Sequence, residues 1–151
     1  MNYTRIVSVT KELPPYYRNT EDIIPLVEYW LSGQEQRFTR KVVKIFEGAA
    51  VDKRFSIMPP EDVFQTTSFE DKNKIYSREA KRMGGNVLKK ALGKSNWVAS
   101  SIDYIITVSC TGIMIPSLGA YVINELGMRK DVVRLPATEM DGSPGYTAPR
   151  Y

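Results

Sequence analysis

In a chain of 151 residues, one thiol and one run of cations are the groups whose chemistry stands out. Cys110 is the single cysteine, set in Ser109-Cys110-Thr111-Gly112 at the end of a β-branched run. A thiolate attacks an acyl carbonyl when a neighbouring base or cation, most often histidine, keeps it ionised. The sequence contains no histidine. Cys110 therefore reads either as a nucleophile lacking its base or as a buried, inert thiol, since free cysteine is among the most buried residue types. The cations are Arg37, Arg40, Lys41 and Lys44. Read from the residues alone, this densest basic stretch, Arg37 to Lys44, is a candidate site for a small anionic ligand. The competing reading is a solvated helix face with no ligand.

The composition sets bounds on these readings. An apolar fraction of 42% and a charged fraction of 25% are ordinary for a soluble globular chain. At this length a domain buries roughly 70% of the surface its unfolded chain exposes, so one domain is the expectation. The net charge of +4 does not point to nucleic acid, because acids are scattered among the bases and no run of five like charges occurs. One cysteine excludes an internal disulfide, and the start Met1-Asn2-Tyr3-Thr4-Arg5 has no apolar signal core, which fits a reducing cytoplasm. Tyr104 to Ile123 carries no charge over about the length of a spanning helix. Gly112, Pro116 and Gly119 interrupt it, and its hydroxyls would burden a lipid-facing helix, so strand, turn and helix is the better parse and no membrane partner is expected.

The elements that must position these groups follow from periodicity. Ile6 to Val9 reads as a first strand closed by Leu13-Pro14-Pro15. A helix follows, capped by Thr20 or Asp22, with Pro25 in its first turn, an apolar stripe of Ile23, Leu26, Val27, Trp30 and Leu31, and an end at Ser32-Gly33. From Gln34 to Phe46 the apolar positions Phe38, Val42, Ile45 and Phe46 leave the cations on the other surface of a second helix, which Gly48 ends. Lys53 to Ile57 is extended up to the break at Pro59-Pro60. The spacing predicts a long helix over Phe69 to Leu92, with Ser68 and Asp71 as a capping box. Its buried face is Ile75, Tyr76, Met83, Val87, Leu88 and Ala91, Gly84-Gly85 marks a kink or close contact, and Gly93 stops it. Tyr104 to Val108 has the β-branched content of a strand covered on both faces in a parallel sheet. Pro116 then opens a helix with inner face Leu118, Tyr121, Val122 and Leu126 and with Gly127 at its C-cap, and Val132 to Leu135 is the next strand. After Met140, aliphatic residues nearly vanish and coil is expected.

Two stretches resemble a known family. Ile106 to Glu139, ITVSCTGIMIPSLGAYVINELGMRKDVVRLPATE, is similar to the segment of type III polyketide synthases, the chalcone and stilbene synthases, that leads to their nucleophile, and it is most like the bacterial members. Lys41 to Phe55, KVVKIFEGAAVDKRF, resembles the family's basic helix and the extended segment after it. The resemblance implies an α/β chain, the N-terminal half of an incomplete thiolase-like fold, with helices packed around a mostly parallel sheet. Residues 1–140 would be this truncated half, and residues 141–151 a divergent coil tail left by a frameshift or truncation. It also implies acyl-coenzyme A and malonyl-coenzyme A as substrates, no permanently bound cofactor, no metal, and a homodimer. Lys41 and Lys44 fall on positions that meet the phosphates of coenzyme A in the family, while a third basic position is Gly48 here. Cys110, Thr111 and Gly112 would line the acyl pocket, and Ile115 would reach across the dimer interface, unless it is ordinary core.

The same resemblance brings out the departures. In the family a cysteine thiolate takes the acyl group, and a histidine and an asparagine polarise the thioester carbonyl. The nucleophile would fall at Gly142, where Asp141-Gly142 replaces Gly-Cys, and no histidine exists to serve it. The expectation is therefore a fragment of an acyltransferase that makes polyketides, inactive as written. The alternatives are a catalytically silent module that binds coenzyme A or pairs with a relative, and a fragment of the ketoacyl synthase III branch of the same fold.

Overall fold

Residues 3–63, 65 and 68–138 are described in the computed structural model, and they fold as two units. One is built from residues 13–68 and contains β1 (Tyr16–Asn19), α1 (Thr20–Trp30), α2 (Gln36–Gly48), β2 (Lys53–Ser56) and the short α3 (Pro60–Val63). The other joins the residues up to 12 to those from 69 onward, and contains α4 (Phe69–Ser95), β3 (Tyr104–Ser109), α5 (Leu118–Glu125) and β4 (Val133–Thr138).

In the first unit, the stripe of α1 buries Ile23, Val27 and Leu31 against Val42 and Phe46 of α2. Trp30 and Ile45, expected on the inner faces, are exposed at 56% and 69%, so the true stripes are narrower than the apolar spacing suggests. β1 and β2 pair antiparallel from Tyr16 with Ser56 to Asn19 with Lys53. The N-cap of α1 is Asn19 rather than Thr20 or Asp22. Thr20 is buried, and its hydroxyl is spent on tying α1 to β2: it donates to the Val51 carbonyl and accepts from Arg54 Nε at 3.2 Å. Because the helix begins at Thr20, Pro25 lies beyond the first turn, inside it. Pro60, read as a breaker, instead opens α3, where its missing N–H costs nothing.

The second unit is centred on a strand–helix–strand crossover. β3 and β4 run parallel, in register from Tyr104 with Val133 to Ser109 with Thr138. α5 covers them, and Ile105, Val122, Ile123, Met128 and Val132 form the core, with Leu88, Leu118 and Leu126 packed around it. Val122 is fully buried; burying such a side chain stabilises by roughly 1.5–3 kcal/mol. Ser117 caps α5 by accepting from the Ala120 amide at 3.4 Å, and Gly127 follows its C-cap at φ +62°, the left-handed conformation glycine adopts without penalty.

α4 is one unbroken helix across Gly84-Gly85. The pair makes close contacts rather than a kink: a Cβ on Gly84 would lie 3.3 Å from Leu118, and one on Gly85 2.8 Å from the Glu125 carboxylate. Hydrogen bonding to Lys89 holds the Glu125 carboxyl below its usual range, and the guanidiniums of Arg82, then Arg78, do the same for Glu79.

Ile6 to Val9 does not form a strand. No described strand pairs with it, and its neighbourhood is tied to α4 instead: Thr10 donates to the Val87 carbonyl at 3.1 Å, Lys94 donates to the Val9 carbonyl at 3.2 Å, and Glu12 pairs with Lys90. Gly48 ends α2 as expected, whereas Gly93 does not stop α4. α2 ends on Gly48 and the left-handed residue is Ala50, at φ 50°; α4 passes Gly93 and the left-handed residue is Asn96, at φ 56°.

Candidate functional site

The loop from Cys110 to Ser117 leaves the C-terminal end of β3, the end at which parallel sheets present their chemistry. Two side chains of α4 hold it. Asn73 bonds both backbone groups of Ile113: its Nδ2 donates to the Ile113 carbonyl and its Oδ1 accepts the Ile113 amide, each at 2.9 Å. Tyr76, three residues on and so on the same helical face, shares a hydrogen bond of 2.6 Å with Ser109 Oγ. The Tyr76 ring also lies against Gly112, so close that a Cβ there would sit 2.4 Å from Tyr76 Cδ1. Gly112 is thus needed for close approach, and a methyl group would force the ring or the loop to move.

This clamp sets what the loop displays. Cys110 is exposed, which removes the inert buried thiol as a description of this chain. Thr111 is exposed beside it, and its amide donates to Ser109 Oγ at 3.4 Å. Ile115 is 93% exposed, so it is not core. The peptide between it and Pro116 is cis. An open groove of about 510 Å³ runs along Ile113 to Pro116 and is lined also by Asn73, Lys81, Tyr121 and Arg134, but not by Cys110, Thr111 or Gly112. Asn73 and Tyr76 were not foreseen as site residues. The sequence placed Tyr76 on the buried face of a long helix, and nothing in the local pattern says that Asn73 reads a backbone 40 residues away.

The cations belong to the other unit. Arg37, Arg40, Lys41 and Lys44 are all exposed on α2, opposite the side on which Val42 and Phe46 pack. None of the four has an ion-pair or hydrogen-bonding partner for its side chain among the described residues. Unneutralised ammonium and guanidinium groups on one surface suit a phosphate-bearing ligand. No group of three or more metal-ligating side chains is found among the described residues. Gly142 and the tail expected over 141–151 lie outside them. No described helix is long and apolar enough to cross a membrane.

No protein-family model matches the chain. Among curated proteins, 1,3,6,8-tetrahydroxynaphthalene synthase of Streptomyces coelicolor is 39% identical over 106 residues, covering 70% of this chain and 28% of that protein. Phloroglucinol synthase of Pseudomonas fluorescens is 30% identical over 105 residues, covering 70% of this chain and 30% of that protein. The crystal structure of the Streptomyces coelicolor tetrahydroxynaphthalene synthase superimposes with a TM-score of 0.80 at 31% identity, over 92% of this chain and 40% of that one. A fungal type III polyketide synthase gives a TM-score of 0.77 at 21% identity, which shows the shared fold. The chain spans about a third of the length of the curated relatives it matches. Sequence and fold agree: the chain belongs to the bacterial type III polyketide synthases, of which it matches the N-terminal part.

Proposed function

We propose that this chain is the coenzyme A-binding front part of a polyketide-forming acyltransferase, and that the 151-residue chain by itself does not condense acyl units. The observation that carries the first half is the pair Lys41 and Lys44, exposed side by side on α2 with no acid holding either. In the family so named, the substrates are acyl- and malonyl-coenzyme A, whose phosphates would meet these ammonium groups. Cys110, Thr111 and Gly112 contribute a wall of the acyl pocket that further chain completes. Ile115, extended into solvent, is the residue offered to a second subunit.

The second half rests on reaction chemistry. Acyl transfer from a thioester needs a thiolate, a base to keep it charged, and donors for the developing oxyanion. The sequence has no histidine, and the position the resemblance gives to the nucleophile is Gly142. Residues 1–140 then form the truncated synthase half, and 141–151 the product of a frameshift or truncation. The coding DNA beyond the codon for Met140, read in the other frames, should yield a Gly-Cys turn and a later histidine.

Calorimetric titration with coenzyme A tests the binding half. The chain should bind, and Lys41→Gln combined with Lys44→Gln should weaken binding by about tenfold or more, the worth of one or two charge-assisted hydrogen bonds. Unchanged affinity in the double variant would refute the site.

A further inference from the structure

The exposed side of α2 carries more positive charge than a two-lysine phosphate site accounts for. With 3.6 residues per turn, Arg37, Lys41 and Lys44 fall within an arc of about 60°, and at 1.5 Å per residue their stripe is about 10 Å long. Arg40 lies about 40° beyond the Lys44 edge of that arc. Glu47 is the one acid between Gln36 and Gly48, and it projects on the Arg40 side, about two turns further along. The stripe through Arg37 therefore has no acid in it, while Arg40 shares its side with one. Like charges three and four residues apart repel and destabilise a helix. A helix that keeps Arg37, Lys41 and Lys44 aligned and unpaired is relieved by a polyanion lying along them.

We infer that Arg37 is a third phosphate-binding cation of the coenzyme A site, one turn N-terminal to Lys41, and that Arg40 stands outside the site. The inference rests on the reading that α2 binds coenzyme A. Coenzyme A carries a pyrophosphate and a separate 3′-phosphate, so its charge is distributed rather than focused at one point, and a stripe matches it better than a pair. The guanidinium adds a planar fork that can engage two oxygens of one phosphate at once, which an ammonium cannot. Where Gly48 leaves the C-terminal end of the stripe without a cation, Arg37 supplies one at the N-terminal end.

The test is calorimetric titration of coenzyme A into the full chain and into Arg37→Gln, Arg37→Lys and Arg40→Gln, at one ionic strength. All three substitutions are at exposed positions and should not lower the melting temperature, with Arg37→Gln raising it slightly if anything as its repulsion with Lys41 is removed. Arg37→Gln is expected to weaken binding about tenfold, with Arg37→Lys recovering part of the loss. Arg40→Gln should change it by less than about twofold, the effect of a removed surface charge. Equal effects of Arg37→Gln and Arg40→Gln, large or small, overturn the inference, because the helix would then act only through its net charge. Failure of the underlying reading looks different: the unsubstituted chain does not bind coenzyme A, or the variants of Lys41 and Lys44 bind as tightly as it does.

Discussion

Asn73 is the residue on which the displayed loop depends most directly. Its amide satisfies the N–H and the C=O of Ile113 together, and the loop on either side carries Cys110 and Ile115. Replacing it by alanine removes two hydrogen bonds at a half-exposed site, a loss of about 1–2 kcal/mol. The expected result for Asn73→Ala is faster amide exchange at Ile113 and a faster reaction of the sole thiol, Cys110, with a disulfide reagent, while amides in the middle of α4 keep their protection. Unchanged exchange at Ile113 would show that the loop holds itself. At this scale the sequence revealed residue types but not partners. It marked Cys110, Gly112 and Lys41 as chemically telling. It could not show that Gly112 is glycine because an aromatic ring from another element lies against it, since that contact exists only once α4 and the loop are packed.

Elements were more legible than their ends. β3, α5 and β4 follow the expected order because each is written locally in β-branched content, an apolar helical stripe and Gly127 at positive φ, although α5 starts at Leu118 behind its cap Ser117 rather than at Pro116. The first strand was misjudged because Ile6 to Val9 has the composition of a strand but no described partner strand, and a ladder needs both sides. Gly48 ends α2 as read, but α4 runs on past Gly93 because a glycine is a permissive residue, not an instruction; the left-handed residues after the two helices are Ala50 and Asn96. Asparagine tolerates that region, whereas alanine pays about 1 kcal/mol for it. Ala50→Gly should therefore stabilise the unit of residues 13–68 by up to about 1 kcal/mol, seen as a higher denaturant midpoint with an unchanged slope. A lower midpoint would mean that flexibility gained by the unfolded chain outweighs the strain relieved.

At the scale of the whole molecule, the resemblance and the measured similarity agree on the family, and the chain spans about a third of its curated relatives' length. The described parallel sheet has two strands, and large apolar side chains such as Ile113, Ile115 and Val133 stand in solvent. On the proposed reading, α2 holds coenzyme A and the loop after β3 shapes part of a pocket, while the sequence offers no histidine to keep a thiolate charged. Intact-mass measurement after incubation with a radiolabelled acyl-coenzyme A and with malonyl-coenzyme A puts this most directly. The account predicts an unmodified polypeptide and no polyketide product; a stable increase in mass by one acyl group, released by hydroxylamine, or a labelled product would contradict it.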